Sequence, residues 1–282
     1  MRILLWYRND LRLHDHEPLY RALTQGAQVF PLYCFDPRHF SATAFGFPKT
    51  GAYRAQFLQE SVADLRQSFR ALQADLLVRH GKPEDIIPDL VKQLAIEAVY
   101  WHSEVTSEER AVEAALEEKL DHLGVKVKHF WGSTLYHPDN LPFPIEQVPE
   151  LFTQFRKRVE KEASISPTFP TPSRVVFKQE AEPGELPTLQ DLGLAVPVGD
   201  PRAVLPFVGG ETSGLQRLQH YLWEGDHLKT YKETRNGLLG GDYSSKFSPW
   251  LALGCLSPRR LYEAVQHYEE SRVRNDSTYW LV

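Results

Sequence analysis

Short apolar runs rich in branched and aromatic side chains alternate with longer amphipathic stretches through the first half of the chain. The runs Arg2 to Tyr7, Gln28 to Phe35, Asp75 to His80, Glu97 to His102 and Val125 to Trp131 read as strands. Between them, Gly51 to Gln73 places Leu58, Val62, Leu65, Phe69 and Leu72 three and four residues apart, the spacing of one helical face. Thr106 to His122 repeats the pattern with Val112, Leu116, Leu120 and Leu123, and Glu109 stands three residues after Thr106, as in a capping box. Strands alternating with helices predict an α/β fold: a doubly wound, Rossmann-like parallel sheet of five strands, covered on both faces.

The pattern changes after Tyr136. Twelve prolines fall between Pro138 and Pro206, interrupted by one helical stretch from Glu150 to Ala163. Proline this frequent forbids long helices and sheet interiors, so the segment is expected to be an extended connector. Arg156, Lys157, Arg158 and Lys161 on its helix are balanced by Glu160 and Glu162 and read as a solvated face.

Beyond Gly210 no strand pattern appears. Leu215, Leu218 and Leu222 mark one helix, Phe247 to Leu253 a second, Pro258 to Glu269 a third and Asp276 to Val282 the start of a fourth. The expected organisation is an α/β domain over 1–133, a connector over 134–210 and the first part of an all-α domain over 211–282. About seventy residues cover a helical core poorly, so the chain is expected to be cut short within that domain.

A hydrophobic content of 42% supports a sizeable core, and the net charge of −5 argues against nucleic-acid binding by the whole surface while leaving room for a local basic groove. Cys34 and Cys255 are too few for a disulfide framework or a thiolate metal site; no metal ligands are assigned, and a reducing, cytoplasmic setting is expected. The apolar run Ile3 to Tyr7 is far too short for a signal-peptide core or a membrane span.

Two stretches carry candidate chemistry. After the first strand the chain reads Arg8-Asn9-Asp10-Leu11-Arg12 where a dinucleotide-binding fold needs G-x-G-x-x-G, which argues against a nicotinamide or adenine dinucleotide there. Arg8, Asp10 and Arg12 are read instead as an ion-pair network bracing the top of the sheet. From Tyr231 to Arg259, glycines, Ser244, Ser245 and Lys246 precede an apolar segment. The local chemistry admits two readings: an ordinary loop capped at Ser248 with Pro249 at the first helical position, or a phosphate site of backbone N–H groups, hydroxyls and one cation.

This second stretch, Tyr-Lys-Glu-Thr-Arg-Asn-Gly (231–237) with Asp-Tyr-Ser-Ser-Lys-Phe-Ser-Pro-Trp (242–250), resembles the flavin-binding segment of the photolyase/cryptochrome family, and its wording is similar to the cryptochrome-DASH branch. Trp6 to His16 resembles the family's opening signature, and Phe47 to Gly51 and Leu151 to Lys157 also read like this branch. The resemblance runs from Arg2 to Val282. It implies a bent FAD in the helical domain whose reduced, light-excited ring donates an electron to a cyclobutane pyrimidine dimer, with single-stranded UV-damaged DNA as the favoured partner. That activity is a deoxyribodipyrimidine photo-lyase; the alternative within the family is a blue-light photoreceptor that signals without repair.

By the same resemblance, Tyr231, Ser244, Ser245, Lys246, Phe247 and Ser248 match flavin-contacting positions, and Arg235 matches a DNA-phosphate contact. Arg235 paired with Glu233 or Asp242 is the plain structural alternative. The family also stores an antenna pigment, here expected to be 5,10-methenyltetrahydrofolate; Glu104, after the fourth strand, is placed either on that pterin or near the helix start at Thr106. The catalytic and electron-relay residues are expected beyond Val282, the full-length protein is expected to be a monomer, and this chain alone is expected to be inactive.

Overall fold

The computed structural model describes every residue except Gln179 and Val282. Strands β1 (Arg2–Tyr7), β2 (Gln28–Phe35), β3 (Leu77–His80), β4 (Ala98–His102) and β5 (Lys126–Phe130) form one sheet in the order β3-β2-β1-β4-β5, every pair parallel. The five predicted runs are all present, trimmed by at most two residues at an end. Residues alternate across the sheet, so Ile3, Leu5 and Tyr7 of β1 enter one core and Leu4 and Trp6 the other. Burial on both faces explains why β1, β2 and β4 read as continuous apolar runs; edge strand β5 is mostly exposed, with only Phe130 buried.

Helices α1 (Glu17–Thr24) and α2 (Ala52–Ala71) cover the first face, with Leu19, Leu58, Val62, Leu65 and Phe69 buried. Helices α3 (Pro83–Gln93) and α4 (Ser107–His122) cover the second through Ile87, Leu90, Val91, Leu116 and Leu120. Periodicity did not single out α1, which has only eight residues, or α3, which carries Pro88 in its interior. Leu123, expected on the buried side of α4, is 37% exposed at its C-cap. The capping box is not made: Thr106 is the N-cap, but its side chain accepts no cap bond and the Glu109 Oε2 atom is buried without a partner.

The proline-rich stretch holds α5 (Phe152–Glu162) and 3-10 turns, with no strand among its described residues. It lies along the edge strand β3, where the Val78 N–H donates to the Pro183 carbonyl at 2.7 Å, so the sheet's open edge is capped by chain. Gly184, at φ +80°, passes so close that a β-carbon would overlap the Val78 carbonyl, and only glycine fits. On α5, Arg156 pairs with Glu160 at 3.4 Å, but the Arg158 guanidinium lies 4.6 Å from the Phe143 ring centre, so the basic face is partly packed rather than wholly solvated.

Past Gly210 the elements are helical: α6 (Glu211–Gln219), a π turn (His220–Glu224), a 3-10 turn (His227–Thr230), α7 (Tyr231–Thr234), α8 (Ser248–Ala252), α9 (Pro258–Ser271) and α10 (Asp276–Leu281). Val282, expected at the end of α10, lies outside the described residues.

The loop after β1 is the seat on which these helices dock. Buried Arg12 donates to four carbonyls: His14 at 3.1 Å, Gly254 at 2.8 Å, Asp15 at 3.2 Å and Gly132 at 3.2 Å. The Leu13 and His14 N–H groups donate to Glu211, and Asp15 receives Arg259 at 2.6 and 3.0 Å together with the Ser257 hydroxyl. Gly254, at φ +63°, packs so tightly on the loop that a β-carbon would overlap the Asn9 carbonyl.

The expected ion pairs among Arg8, Asp10 and Arg12 are replaced by three different sets of side-chain partners, the three residues staying linked through the Arg8 N–H on Asp10 Oδ1 at 2.6 Å and the Arg12 N–H on the Asp10 carbonyl at 2.7 Å. Arg8 pairs with Glu113, Asp10 accepts from His16 at 2.8 Å and His102 at 2.7 Å, and Arg12 spans carbonyls. Neutral acceptors suit Arg12 because the carbonyls converging on it need donors, and one guanidinium offers five.

Candidate functional site

A groove of about 370 Å³ opens between the 3-10/α7 turn, the loop before α8, and α9. Phe247, Leu251, Leu261, Val265, Leu281 and Leu135 supply apolar wall; Ser133, Tyr231, Ser245, Ser248 and Tyr262 supply hydroxyls. No carboxylate of the described residues lines it, so nothing in that lining repels an anion. Ligand sites combine an apolar wall with a few convergent polar groups in this way. Four of the six residues matched to flavin contacts, Tyr231, Ser245, Phe247 and Ser248, meet there.

The other two are not in the lining. The Ser244 carbonyl accepts from Arg217, and the Lys246 ammonium stands 3.6 Å from the Tyr243 ring centre. Lys246 is in the left-handed region, φ +56°, and this reversal sends Phe247 into the core, where it is 3% exposed, before α8 begins. Ser248 is the first helical residue rather than the cap; Phe247 holds the cap position and makes no side-chain cap bond. With five residues, α8 contributes little dipole, so an anion here would be met by hydroxyls and nearby cations rather than by a helix end.

Arg217 of α6 organises the loop. It donates to the carbonyls of Gly241, Ser244 and Ser245 at 3.1, 3.2 and 3.0 Å and to Asp242 at 2.6 Å. Burial would raise the Asp242 carboxyl, but the Arg217 bond and charge outweigh it and hold it below the usual range. Sequence reasoning missed Arg217, which carries no local motif; a lone arginine on an otherwise amphipathic helix reads as surface.

Arg235 follows α7 and is half-buried. It pairs with neither Glu233 nor Asp242: Glu233 accepts from the Ser277 hydroxyl and Asp242 is held by Arg217. Its guanidinium lies 4.7 Å from the Trp280 ring centre, and its Nε–H is buried without a partner among the described residues. Among the described residues the cation thus has no carboxylate to neutralise it.

Glu104 stands apart from the groove. It follows β4, and its Oε1 accepts from the Asn9 side chain, just after β1, at 2.9 Å. Strand order reverses between β1 and β4, which puts this pair at the carboxyl-end crevice where open α/β sheets receive ligands. Burial raises the Glu104 carboxyl above its ordinary value, partly opposed by Asn9 and Arg8. Below it, Asp10 is held well under the carboxylate range: burial alone would raise it, but hydrogen bonds from His102 and His16 prevail. His16 is pushed down to about 4 by burial. Among the described residues no helix is long and apolar enough to cross a membrane.

Residues 3–173 match the DNA photolyase family. The chain is 61% identical over 280 residues to cryptochrome DASH of Gloeobacter violaceus and 52% identical over 288 residues to that of Synechocystis sp., covering 99% of this chain and 56% and 57% of those proteins. The solved structure of a Synechocystis cryptochrome superposes with a TM-score of 0.95 at 53% identity, over 99% of this chain and 58% of that one. The chain therefore spans a little over half the length of the curated relatives it matches.

Proposed function

Because the chain belongs to the DNA photolyase family, we propose that its groove holds part of an FAD and that the protein repairs cyclobutane pyrimidine dimers in single-stranded DNA under light. The observation that carries this reading is the convergence of Tyr231, Ser245, Phe247 and Ser248 on one groove that is acid-free among the described residues, from segments with a flavin-site wording. Bound and reduced, the flavin would supply the light-driven electron; the protein supplies position and electrostatics.

In this reading Phe247, Leu251 and Val265 give the cofactor an apolar wall, and the Ser245, Ser248 and Tyr231 hydroxyls donate to its polar groups. Lys246, held among the described residues by a ring contact alone, is free to exchange the Tyr243 face for a phosphate. Arg217 keeps the loop in shape from behind. Arg235, a cation without a carboxylate among the described residues, is suited to a DNA phosphate, which fixes position and carries no sequence information. Glu104 with Asn9 offers hydrogen bonds to a reduced-folate antenna such as 5,10-methenyltetrahydrofolate at the sheet's switch point. The three segments 1–133, 134–210 and 211–282 correspond in this proposal to the antenna side, the connector and the opening of the flavin domain.

Light-dependent loss of pyrimidine dimers from a single-stranded oligonucleotide, with reduced FAD present and dark controls alongside, tests the reaction in the longest protein bearing this chain. Flavin bound with no light-dependent repair would favour the photoreceptor alternative. Failure to bind FAD at all would remove both.

A further inference from the structure

We propose that His220, His227 and Asp242 form a site for a divalent transition-metal ion of the zinc class. The site lies outside the groove described above and is independent of the flavin reading. Its ligands come from three segments: the π turn, the 3-10 turn and the glycine-rich loop ahead of Ser244. The His220 Nε2 atom is 3.5 Å from one Asp242 oxygen and the His227 Nε2 atom 3.6 Å from the other. All three ligand atoms lie within 4.8 Å of one another. A tetrahedral ion with bonds near 2.0 Å separates its ligand atoms by about 3.3 Å, so small side-chain adjustments close the set.

Three further features suit an ion. The Glu224 carboxylate stands 3.4 Å from the His220 Nδ1 atom, on the opposite side of the ring from Asp242. A carboxylate on that side favours a proton on Nδ1, the tautomer that presents Nε2 to a metal. Gly225 has an ordinary backbone, φ −84° and ψ −16°, which any residue adopts, yet a β-carbon on it would overlap the His227 Nε2 atom. What the glycine provides is room at that nitrogen. Finally, the side chains of His220, His227 and Asp242 are 43%, 32% and 39% exposed, so an ion can enter and water can complete its shell.

Arg217 sets the strength. It occupies one lone pair of Asp242 Oδ1 at 2.6 Å and orients the carboxylate, leaving Oδ2 and the second lone pair for a metal. Its charge opposes the cation, so a micromolar site is expected rather than a tighter one. Two imidazoles and one carboxylate favour zinc-class ions over magnesium or calcium, which take oxygen ligands. The Asp10, His16 and His102 cluster is a poorer candidate: it is buried, and its 2.7 and 2.8 Å hydrogen bonds would have to be surrendered.

Calorimetric titration of the full chain with zinc chloride, with magnesium chloride as the control, tests the proposal together with anomalous scattering at the zinc edge. One equivalent of zinc at micromolar affinity is expected. Binding should weaken at least tenfold in His227→Gln and also in Gly225→Ala, which removes no ligand and only crowds Nε2, and the anomalous peak should lie among the three side chains. No binding below about 1 mM, unchanged binding in both variants, or a peak confined to Asp10, His16 and His102 would overturn it.

Discussion

Arg12 is the most exacting test of how the two halves of the chain are joined. Its guanidinium donates to carbonyls of His14, Asp15, Gly132 and Gly254, and the last lies 242 residues away in sequence. Arg12→Met keeps most of the stem and removes every donor, leaving up to four carbonyls without their partner in a region where Arg12 is 1% exposed. At about 1 kcal/mol net for each lost hydrogen bond, the variant should lose roughly 4 kcal/mol, a large share of a typical total of 5–15. Arg12→Lys keeps the charge but reaches fewer acceptors and should lie between the two. With a urea slope near 3 kcal/mol per molar, the Arg12→Met midpoint should fall by about 1.3 M. Because the lost bonds link the sheet loop to the α8–α9 corner, tryptophan fluorescence, which includes Trp250 near that corner, should report unfolding ahead of far-UV circular dichroism. A midpoint within about 0.3 M of the wild type would refute the argument that this joint is carried by Arg12.

Three further outcomes are expected. Gly254→Ala and Gly26→Ala both place alanine at a left-handed φ, +63° and +66°, but only the first would clash with neighbouring atoms; thermal unfolding should show about 1 kcal/mol lost at Gly26 and roughly 3 or more at Gly254, and equal losses would contradict the packing described. His16 binds its proton more weakly in the folded chain, at about 4 against an ordinary 6.5, so the unfolded chain takes up more protons as pH falls through that interval. Its contribution, roughly 3 kcal/mol, should be present above pH 6.5, decline between 6.5 and 4 and be absent below; denaturation midpoints of wild type and His16→Asn across pH 7.5 to 4 check this, and parallel curves would count against it. Arg217→Gln frees the Ser244 and Ser245 carbonyls, so FAD affinity measured by flavin fluorescence should drop at least tenfold while the sheet's circular dichroism is kept; undiminished affinity would detach the groove from its support.

Strands β1, β2 and β4 were legible because they are buried on both faces and must therefore be apolar almost residue after residue, as Ile3 to Tyr7 and Val29 to Phe35 are, whereas edge strand β5 buries only Phe130. Helices α2 and α4 announced themselves through the 3.6-residue period, whereas α1 and α3 did not, being short or interrupted by Pro88. The glycine and serine wording around Ser244 to Ser248 drew attention to this part of the groove through its resemblance to a flavin-binding segment, since the local chemistry alone also fits an ordinary loop before a helix. The groove's lining by Leu261, Tyr262 and Val265 of α9 did not show, since those residues follow an ordinary amphipathic pattern.

What the sequence by itself determined is the set of local decisions: where the chain extends, coils or turns. These depend on neighbours within a few residues, whose spacing is written in the order of the amino acids. Only the tertiary structure decided that Leu11 to Asp15 seats Gly254 to Arg259, that Glu211 answers His14, that Arg217 shapes the Ser244 loop, and that His220, His227 and Asp242 face one another. Such contacts are specific at the level of single atoms, yet each partner alone reads as a common polar residue. Their pairing is set by how the packed elements bring distant side chains within about 3 Å, a distance on which sequence periodicity carries no information.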